Sequence, residues 1–268
     1  MARKKTILFF IVSFLFIADG RAQVWEVGAQ VGGAGYIGDL NPDHPLKISG
    51  LAASLFVKAN LDPNWAIGFH YNFGKIKADD AKSTYPQFRD RNLNFYSNLN
   101  EFTFMVDFNF LDYFAGGGFK RFSPYLYTGI GTVIFNPKTK YMGKEYELAL
   151  YTTEGQEKSY KTYALVIPYG AGVKYNFSEK WSLLGNIGYR NAYTDYLDDV
   201  SGSYPDPADF ANNGSVGQIQ KALSDRSGEK TGVYIGAKDT QRGDFRKRDT
   251  YMFVGIGITY TFVSQKCF

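Results

Sequence analysis

Residues 250–262 read TYMFVGIGITYTF. Taken with a period of two, Met252, Val254, Ile256, Ile258, Tyr260 and Phe262 share one face. Phe253, Gly255, Gly257, Thr259 and Thr261 share the other. Alternation of this kind marks a β-strand, here apolar on one side and small or polar on the other, ending on an aromatic. A strand that turns an apolar face to lipid needs neighbours of the same kind, because open backbone edges cannot stand in hydrocarbon.

The neighbours are present. The alternation recurs at 24–33, 49–61, 65–75, 99–111, 124–135, 164–177 and 181–193, making eight segments with the last. Most reach the roughly 9–11 residues that a tilted membrane strand requires. Connections alternate in length. Residues 62–64 and 178–180 are tight turns and 112–123 is moderate, whereas 34–48, 76–98, 136–163 and 194–249 are long and polar. Short periplasmic turns and long outer loops describe an outer-membrane barrel. Trp25, Trp65 and Trp181 each open a segment at the short-turn end, and Phe262 closes the last one there, as an interfacial aromatic belt predicts.

Charge decides which face meets lipid. Glu26, Lys58, Glu101, Asp107, Lys174 and Arg190 all lie on the second face, together with His70. A Lys or Arg at the lipid midplane costs about 2–4 kcal/mol, so this face turns inward. A lipocalin-type barrel would invert the pattern, with polar residues outside and apolar residues within. Eight strands enclose a lumen that side chains fill, and acids and bases within it are expected to pair. The expected fold is an all-β, eight-stranded antiparallel transmembrane barrel with long extracellular loops, its last strand closing on the first near Trp25.

Composition agrees. The chain has 268 residues with 44% hydrophobic and 18% aromatic residues, and Gly 29, Tyr 21 and Phe 23 suit many short strands. A mean hydropathy of -0.28 excludes a bundle of apolar membrane helices. A formal charge of +4 without a long basic run gives no sign of nucleic acid. One cysteine, Cys267, excludes an internal disulfide. Residues 1–22 read as a signal peptide: Arg3, Lys4 and Lys5 precede the apolar run at 6–18, and small residues flank Arg21. The barrel domain is then 23–268, exported to the outer membrane, where lipid is its first partner.

Nothing in the sequence assembles catalytic machinery. His44 lies in a loop beside Pro45, His70 faces the lumen mid-strand, and neither has a nucleophile motif with it. The loop after the seventh segment carries Asp195, Asp198, Asp199, Asp206 and Asp209. Carboxylates in such number can hold Ca²⁺, but the spacing matches no EF-hand, and Asp beside Ser, Gly and Pro is ordinary turn chemistry. No catalytic residue, metal, cofactor or small-molecule substrate is assigned. Residues 217–227 have helical spacing at Ile219, Ala222 and Leu223. Residues 241–250 cluster Arg242, Arg246, Lys247 and Arg248 with Asp244 and Asp249, a mixed set expected to pair internally.

The stretches VGAQVGGAGYIGDLNP (27–42), IPYGAGVKYNFSEKWSL (167–183), YRNAYTDYLDDVSGSYPDPADF (189–210) and RGDFRKRDTYMFVGIGITYTF (242–262) together resemble the PorG-like outer-membrane barrels of the type IX (Por) secretion and gliding machinery. The resemblance implies a non-enzymatic outer-membrane component of a secretion apparatus. It also implies binding on the periplasmic side by ring-forming subunits, the PorK lipoprotein and PorN. Of its motif residues, Tyr36, Gly38 and Asp39 form a glycine-permitted bend placed to bind the fourth long loop through Tyr196, Asp198 and Asp199, making that loop an ordered cap. On the periplasmic side the largest connection offers Phe119, Lys120, Arg121 and Phe122 as a contact surface. The alternatives are a surface-binding or adhesion barrel using its long loops, or an enzyme modifying lipid or peptide at the outer rim.

Overall fold

The computed structural model describes residues 24–244 and 246–262. The expected signal peptide, the expected start near Gln23, Cys267 and the tail to Phe268 lie outside the described residues. Ten strands form one sheet: β1 (Val24–Ile37), β2 (Ile48–Asn60), β3 (Trp65–Asp79), β4 (Asn94–Asn109), β5 (Phe122–Ile134), β6 (Pro137–Tyr141), β7 (Lys144–Glu147), β8 (Tyr163–Ser178), β9 (Trp181–Ala192) and β10 (Thr250–Phe262). Eight of them run in the order β3-β2-β1-β10-β9-β8-β5-β4, and β3 pairs with β4 to close the ring. Every pairing is antiparallel, with Trp25 opposite Phe262 at the seam between first and last strands. The protein is a closed eight-stranded outer-membrane-type barrel.

Its outer wall is the lipid belt. Val31, Leu55, Phe69, Phe104, Ile130, Val173, Leu183 and Ile256 are all exposed, an arrangement that only a hydrocarbon solvent tolerates on this scale. Trp25, Trp65, Trp181 and Phe262 are half-exposed at the periplasmic ends of their strands. No described helix is long and apolar enough to cross a membrane.

The outer ends depart most from the sequence reading. β1 and β3 each run four residues past the expected segment, and β4 starts five residues sooner, at Asn94. The barrel therefore rises above the lipid belt as a collar. The expected loop 136–163 contains a hairpin, β6–β7, turned by Met142 and Gly143 at φ 48° and 75°. Positive φ at both positions matches the right-handed twist of the strands, and glycine meets it without strain. The remaining loops carry helices α1 (Pro86–Arg91), α2 (Gly214–Ser224) and α3 (Gly228–Thr231). α2 starts three residues before the segment with helical spacing.

A second difference concerns the inner face, read from alternation as small or polar throughout. At the extracellular end it is apolar. Ala34, Leu99, Val133, Val166, Ala192 and Phe253 pack with Leu197, Val200 and Leu223 of the loop before β10. The polar lining holds only below this layer, since a loop folded over the mouth supplies apolar partners from outside the barrel. Met252 has its own local exception, being buried although its row faces outward.

Candidate functional site

The lower lumen is built around Asp107. Its Oδ2 accepts from Lys58 Nζ at 2.6 Å and from Lys174 Nζ at 2.8 Å, and all three side chains are almost wholly buried. Glu26 sits opposite Lys58 in the β1–β2 register and accepts from the Asn60 amide at 3.3 Å. Both ammonium groups also lie over aromatic rings, Lys174 4.4 Å from the Tyr125 centroid and Lys58 4.8 Å from that of Phe56. Higher in the lumen, Arg190 Nε stands 3.4 Å from Glu101, which also accepts from Asn72 Nδ2 at 2.7 Å and from the Tyr251 hydroxyl at 2.5 Å. Three cations (Lys58, Lys174, Arg190) thus meet three carboxylates (Glu26, Glu101, Asp107). His70 stacks on Phe56 with centroids 4.9 Å apart, beside a residual cavity of about 30 Å³. That is room for about one water, which leaves no conduit. Space is tight enough that a Cβ at Gly188 would stand 2.0 Å from the Tyr127 hydroxyl.

Both ends are sealed. Below, the connection 110–121 folds inward, and Tyr113 is fully buried with its N–H bonded to the Pro63 carbonyl at 3.3 Å. Gly117, at φ 87°, lets the chain reverse after the short 3-10 turn Phe114–Gly116. Phe119 then projects outward, 92% exposed, with Lys120, Arg121 and Phe122 beside it.

Above, all four outer loops meet. Tyr36, buried at the end of β1, donates its hydroxyl to Asp198 and lies 3.5 Å from Asp249. Gly38 is needed here, since a Cβ would stand 2.2 Å from both Asp249 and the Tyr36 hydroxyl. Asp39 accepts from the Asp244 N–H, and Asp249 accepts from the Leu197 N–H at 3.0 Å. Asp199 accepts from Thr153 at 2.6 Å and Tyr160 at 2.7 Å, while Tyr196 stacks on Tyr160 with centroids 4.4 Å apart. Asp206 and Asp209 lie apart from this set, around the 3-10 segment Pro207–Asn213. His44 is an exposed residue of the first loop.

Two arginines that the sequence reading did not single out as site residues join the loops. Arg91 makes a two-pronged bond to Asp80, at 2.7 and 2.9 Å. It also donates to the backbone carbonyls of Asp39 and Arg242, at 3.0 and 2.5 Å. Arg242 donates to Glu154 at 3.0 Å and to the carbonyls of Asp199 and Ser224. Arg242 belongs to the mixed cluster expected to pair internally and does pair within its own loop, with Asp199, whereas Arg91 gave no signal because an Arg in a polar loop ordinarily reads as solvated.

The mouth is rich in carboxylates. Asp39, Asp195 and Asp249 each bring an oxygen within 4.8 Å of the others. Of the five aspartates noted in the fourth loop only Asp195 belongs to this trio. Three such oxygens fall short of the six to eight that Ca²⁺ takes. Asp39 and Asp249 already accept backbone N–H bonds, and Asp195 accepts from Ser201 at 2.9 Å. The group therefore works as a set of acceptors holding the cap. Burial is the main cause that lifts these carboxyls above the usual range, Asp39 to about 7 and Asp195 to about 6, with neighbouring carboxylates adding to it. Asp198 and Asp249 are raised well above it for the same reasons. Protons do here what lysines do in the lumen.

The chain as a whole is similar in fold to solved barrels. A major outer membrane protein from Thermus thermophilus is 12% identical, with a TM-score of 0.45 over 90% of this chain and 100% of that one. Neisserial surface protein A is 10% identical, with a TM-score of 0.43 over 89% and 97%. Ail, the attachment invasion locus protein of Yersinia pestis, is 10% identical, with a TM-score of 0.41 over 90% and 99%. No curated protein matches the sequence. The model of a domain of unknown function, DUF6089, matches residues 4–221, a stretch that takes in β1 to β9 and most of α2. The chain belongs to the DUF6089 family.

Proposed function

We propose that this barrel is a non-enzymatic anchor, working as an outer-membrane subunit of the type IX protein secretion machinery. The observation that carries the anchor reading is the double seal. Tyr113 closes the lower end, the ion-paired lumen is filled, and the cap covers the mouth. A barrel whose described residues fill the lumen and bring together no nucleophile with a base works through its outer surfaces. The secretion role itself rests on the resemblance of the 27–42, 167–183, 189–210 and 242–262 stretches to PorG-like barrels. On the periplasmic side the protruding Phe119, flanked by Lys120, Arg121 and Phe122, is the surface offered to the ring-forming PorK lipoprotein and PorN.

The test is a gene deletion scored for secretion of cargo, with a photo-crosslinking residue placed at position 119. Loss of secretion and a crosslink to a periplasmic ring subunit are expected. Normal secretion without a crosslink overturns the reading. A surface-binding role is the second reading, favoured by Tyr234 and Ile235, which are exposed on the cap. A cap deletion that spares secretion but abolishes attachment to a surface would select it.

A further inference from the structure

The collar above the lipid belt is not uniform. On the β2–β4 flank, the extended strands and the β6–β7 hairpin enclose a cleft of about 740 Å³, lined by Lys47, Lys75, Lys77, Lys82 and Lys140. Two carboxylates, Asp79 and Glu145, also line it, and both are engaged. Asp79 lies 3.7 Å from Lys82 and caps the turn at Ala81. Glu145 accepts from Tyr96 and stands 3.1 Å from Lys138. Lys47, Lys75, Lys77 and Lys140 have no carboxylate within ion-pair distance among the described residues. Four unpaired ammonium groups around one concave space repel one another, an arrangement that an anion relieves.

Register places the cleft against the membrane. Along β3 the lipid-facing row is Trp65, Ile67, Phe69, Tyr71 and Phe73, and the next two members of the same row are Lys75 and Lys77. At about 3.3 Å per residue, the Lys75 Cα lies about 7 Å along the strand beyond that of Phe73, where hydrocarbon gives way to headgroups. Across the ladder, Lys75 pairs with Asn98 and Lys77 with Tyr96, outward positions that continue the lipid row Phe104 and Phe102. On β2, exposed Leu51 and Leu55 lie below Ser49 and Lys47. At the outer ends of β8 and β9 the exposed residues are Tyr163, Leu165 and Tyr193, and the cations there lie over rings, Lys161 over Tyr163 and Arg248 over Tyr193.

We propose that this cleft binds the phosphate of an outer-leaflet lipid headgroup, with the lipid's acyl chains lying on Leu51, Phe73 and Phe102 below. Phosphate chemistry is indicated because ammonium groups on flexible stems converge as point charges, with the Ser49 hydroxyl and Asn94 amide beside them as neutral partners. A lipid is favoured over a soluble phosphate because the cleft floor is continuous with the apolar row. Basic clusters at membrane surfaces recognise anionic headgroups in this way. The inference is independent of the secretion role.

The test uses the full barrel purified in detergent, with native mass spectrometry of retained lipid after incubation with diphosphorylated lipid A. The same measurement is made with chemically dephosphorylated lipid A and with inorganic phosphate. The variant is Lys47→Gln, Lys75→Gln, Lys77→Gln, at three exposed positions whose change leaves folding intact. A Lys120→Gln, Arg121→Gln, Lys180→Gln variant at exposed positions of the periplasmic end removes the same number of charges and controls for net charge. Wild type and the control are expected to retain diphosphorylated lipid at least fivefold better than the triple variant, and to retain the dephosphorylated lipid no better than it. Equal retention by the triple variant overturns the site. Equal retention of both lipids, with inorganic phosphate bound in a lysine-dependent way, overturns the lipid as the source.

Discussion

The lower lumen and the mouth both bury charged side chains within one barrel, but the lumen rests on ion pairs, whereas the mouth adds to its ion pairs a cluster of carboxylates that no cation neutralises. In the lumen Asp107 and Glu101 meet ammonium or guanidinium groups, and Glu26 stands opposite Lys58 in the β1–β2 register. At the mouth Asp39, Asp195, Asp198 and Asp249 crowd together, and the neighbouring Arg91 spends its charge on Asp80. The reason is positional. Lumen side chains come from strands whose register is set by the lipid face, so cations and anions can be interleaved around the ring. The mouth gathers residues from loops, where Asp is selected first for turn geometry and backbone bonding. Pairing by ions gives a contact indifferent to moderate pH, whereas sharing of protons gives one that pH can loosen. The lumen is thus a fixed strut and the cap a conditional lid.

The largest effect that would break the lumen half of this contrast is expected from Asp107→Asn. It leaves Lys58 and Lys174 facing each other without their common counter-charge, and removal of one partner from a buried pair costs about 3–5 kcal/mol. Urea titration of the refolded barrel in micelles should show the loss. Lys58→Met, Asp107→Leu, Lys174→Met together should recover most of it, since an apolar set of similar volume needs no partners. A single variant as stable as wild type would show that Asp107 is not the keystone.

Arg242→Met is the counterpart at the cap. It strips the guanidinium from Glu154 and Asp199, which sit at 3.0 and 3.6 Å, and frees the Asp199 and Ser224 carbonyls. Local destabilisation of about 3 kcal/mol is expected, at the lower end for a buried pair because the barrel beneath stays intact. Proteolysis within residues 194–249 should accelerate while the urea midpoint of the barrel is unmoved. A shift of both together would mean that the two regions fold as one unit.

The contrast is sharpest in its dependence on pH. Asp39 and Asp195 titrate higher in the folded cap than in an unfolded loop, where carboxyls titrate near the ordinary value. The contribution of these two carboxyls to holding the cap is therefore fully present below about pH 4, the range of free carboxyls, and is lost as pH rises through about 6 and then about 7. Around Asp39 the groups that matter are Asp244 and Asp195, which add repulsion, and Arg91, which opposes it. Protection factors for the Leu197 and Asp244 amides, which donate into the cluster, should fall between pH 5 and 8. Amides of the β1–β10 seam should keep theirs. Protection at Leu197 that is flat or rising over that range would remove the proton-sharing account.

How much of this was legible follows the same division. The closed barrel and its inward charges were written in alternation with a period of two, because lipid outside enforces the pattern at every second residue. So was the pairing of Trp25 with Phe262, which follows once eight strands must close. The collar was not. Above the lipid belt Lys75, Lys77 and Asn98 replace the apolar row, so the periodic signal stops while the strand continues. The apolar upper lumen was hidden for a related reason: Leu99 and Val133 face inward against Leu197 and Val200, and no local pattern announces a loop that folds back over the mouth. Arg91 and Glu154 were missed because contacts between loops leave no spacing to read, and Asp80 was missed with them, since it pairs with Arg91 inside one loop. Tyr36 and Asp39 were found by motif, and the chain places both in the latch.

The smallest expected effect comes from Tyr36→Phe, which removes one O–H and leaves the ring packed against Phe95 at a centroid distance of 4.9 Å. Asp198 then loses the donor at its Oδ2 and keeps the Val200 N–H at 2.9 Å on the other oxygen. A neutral hydrogen bond of this kind contributes about 1 kcal/mol. Burial raises the Asp198 carboxyl well above its usual range, so the tyrosine bond is one to a neutral acid and its loss should be the same at every pH where that proton stays on. The curve of Leu197 protection against pH should therefore keep its shape and move bodily downward by roughly fivefold, the exchange-rate equivalent of that energy. A Tyr36→Phe curve that steepened with pH would mean instead that Asp198 is ionised beneath the tyrosine. The cap would then be held by a charged bond of the same kind as those in the lumen.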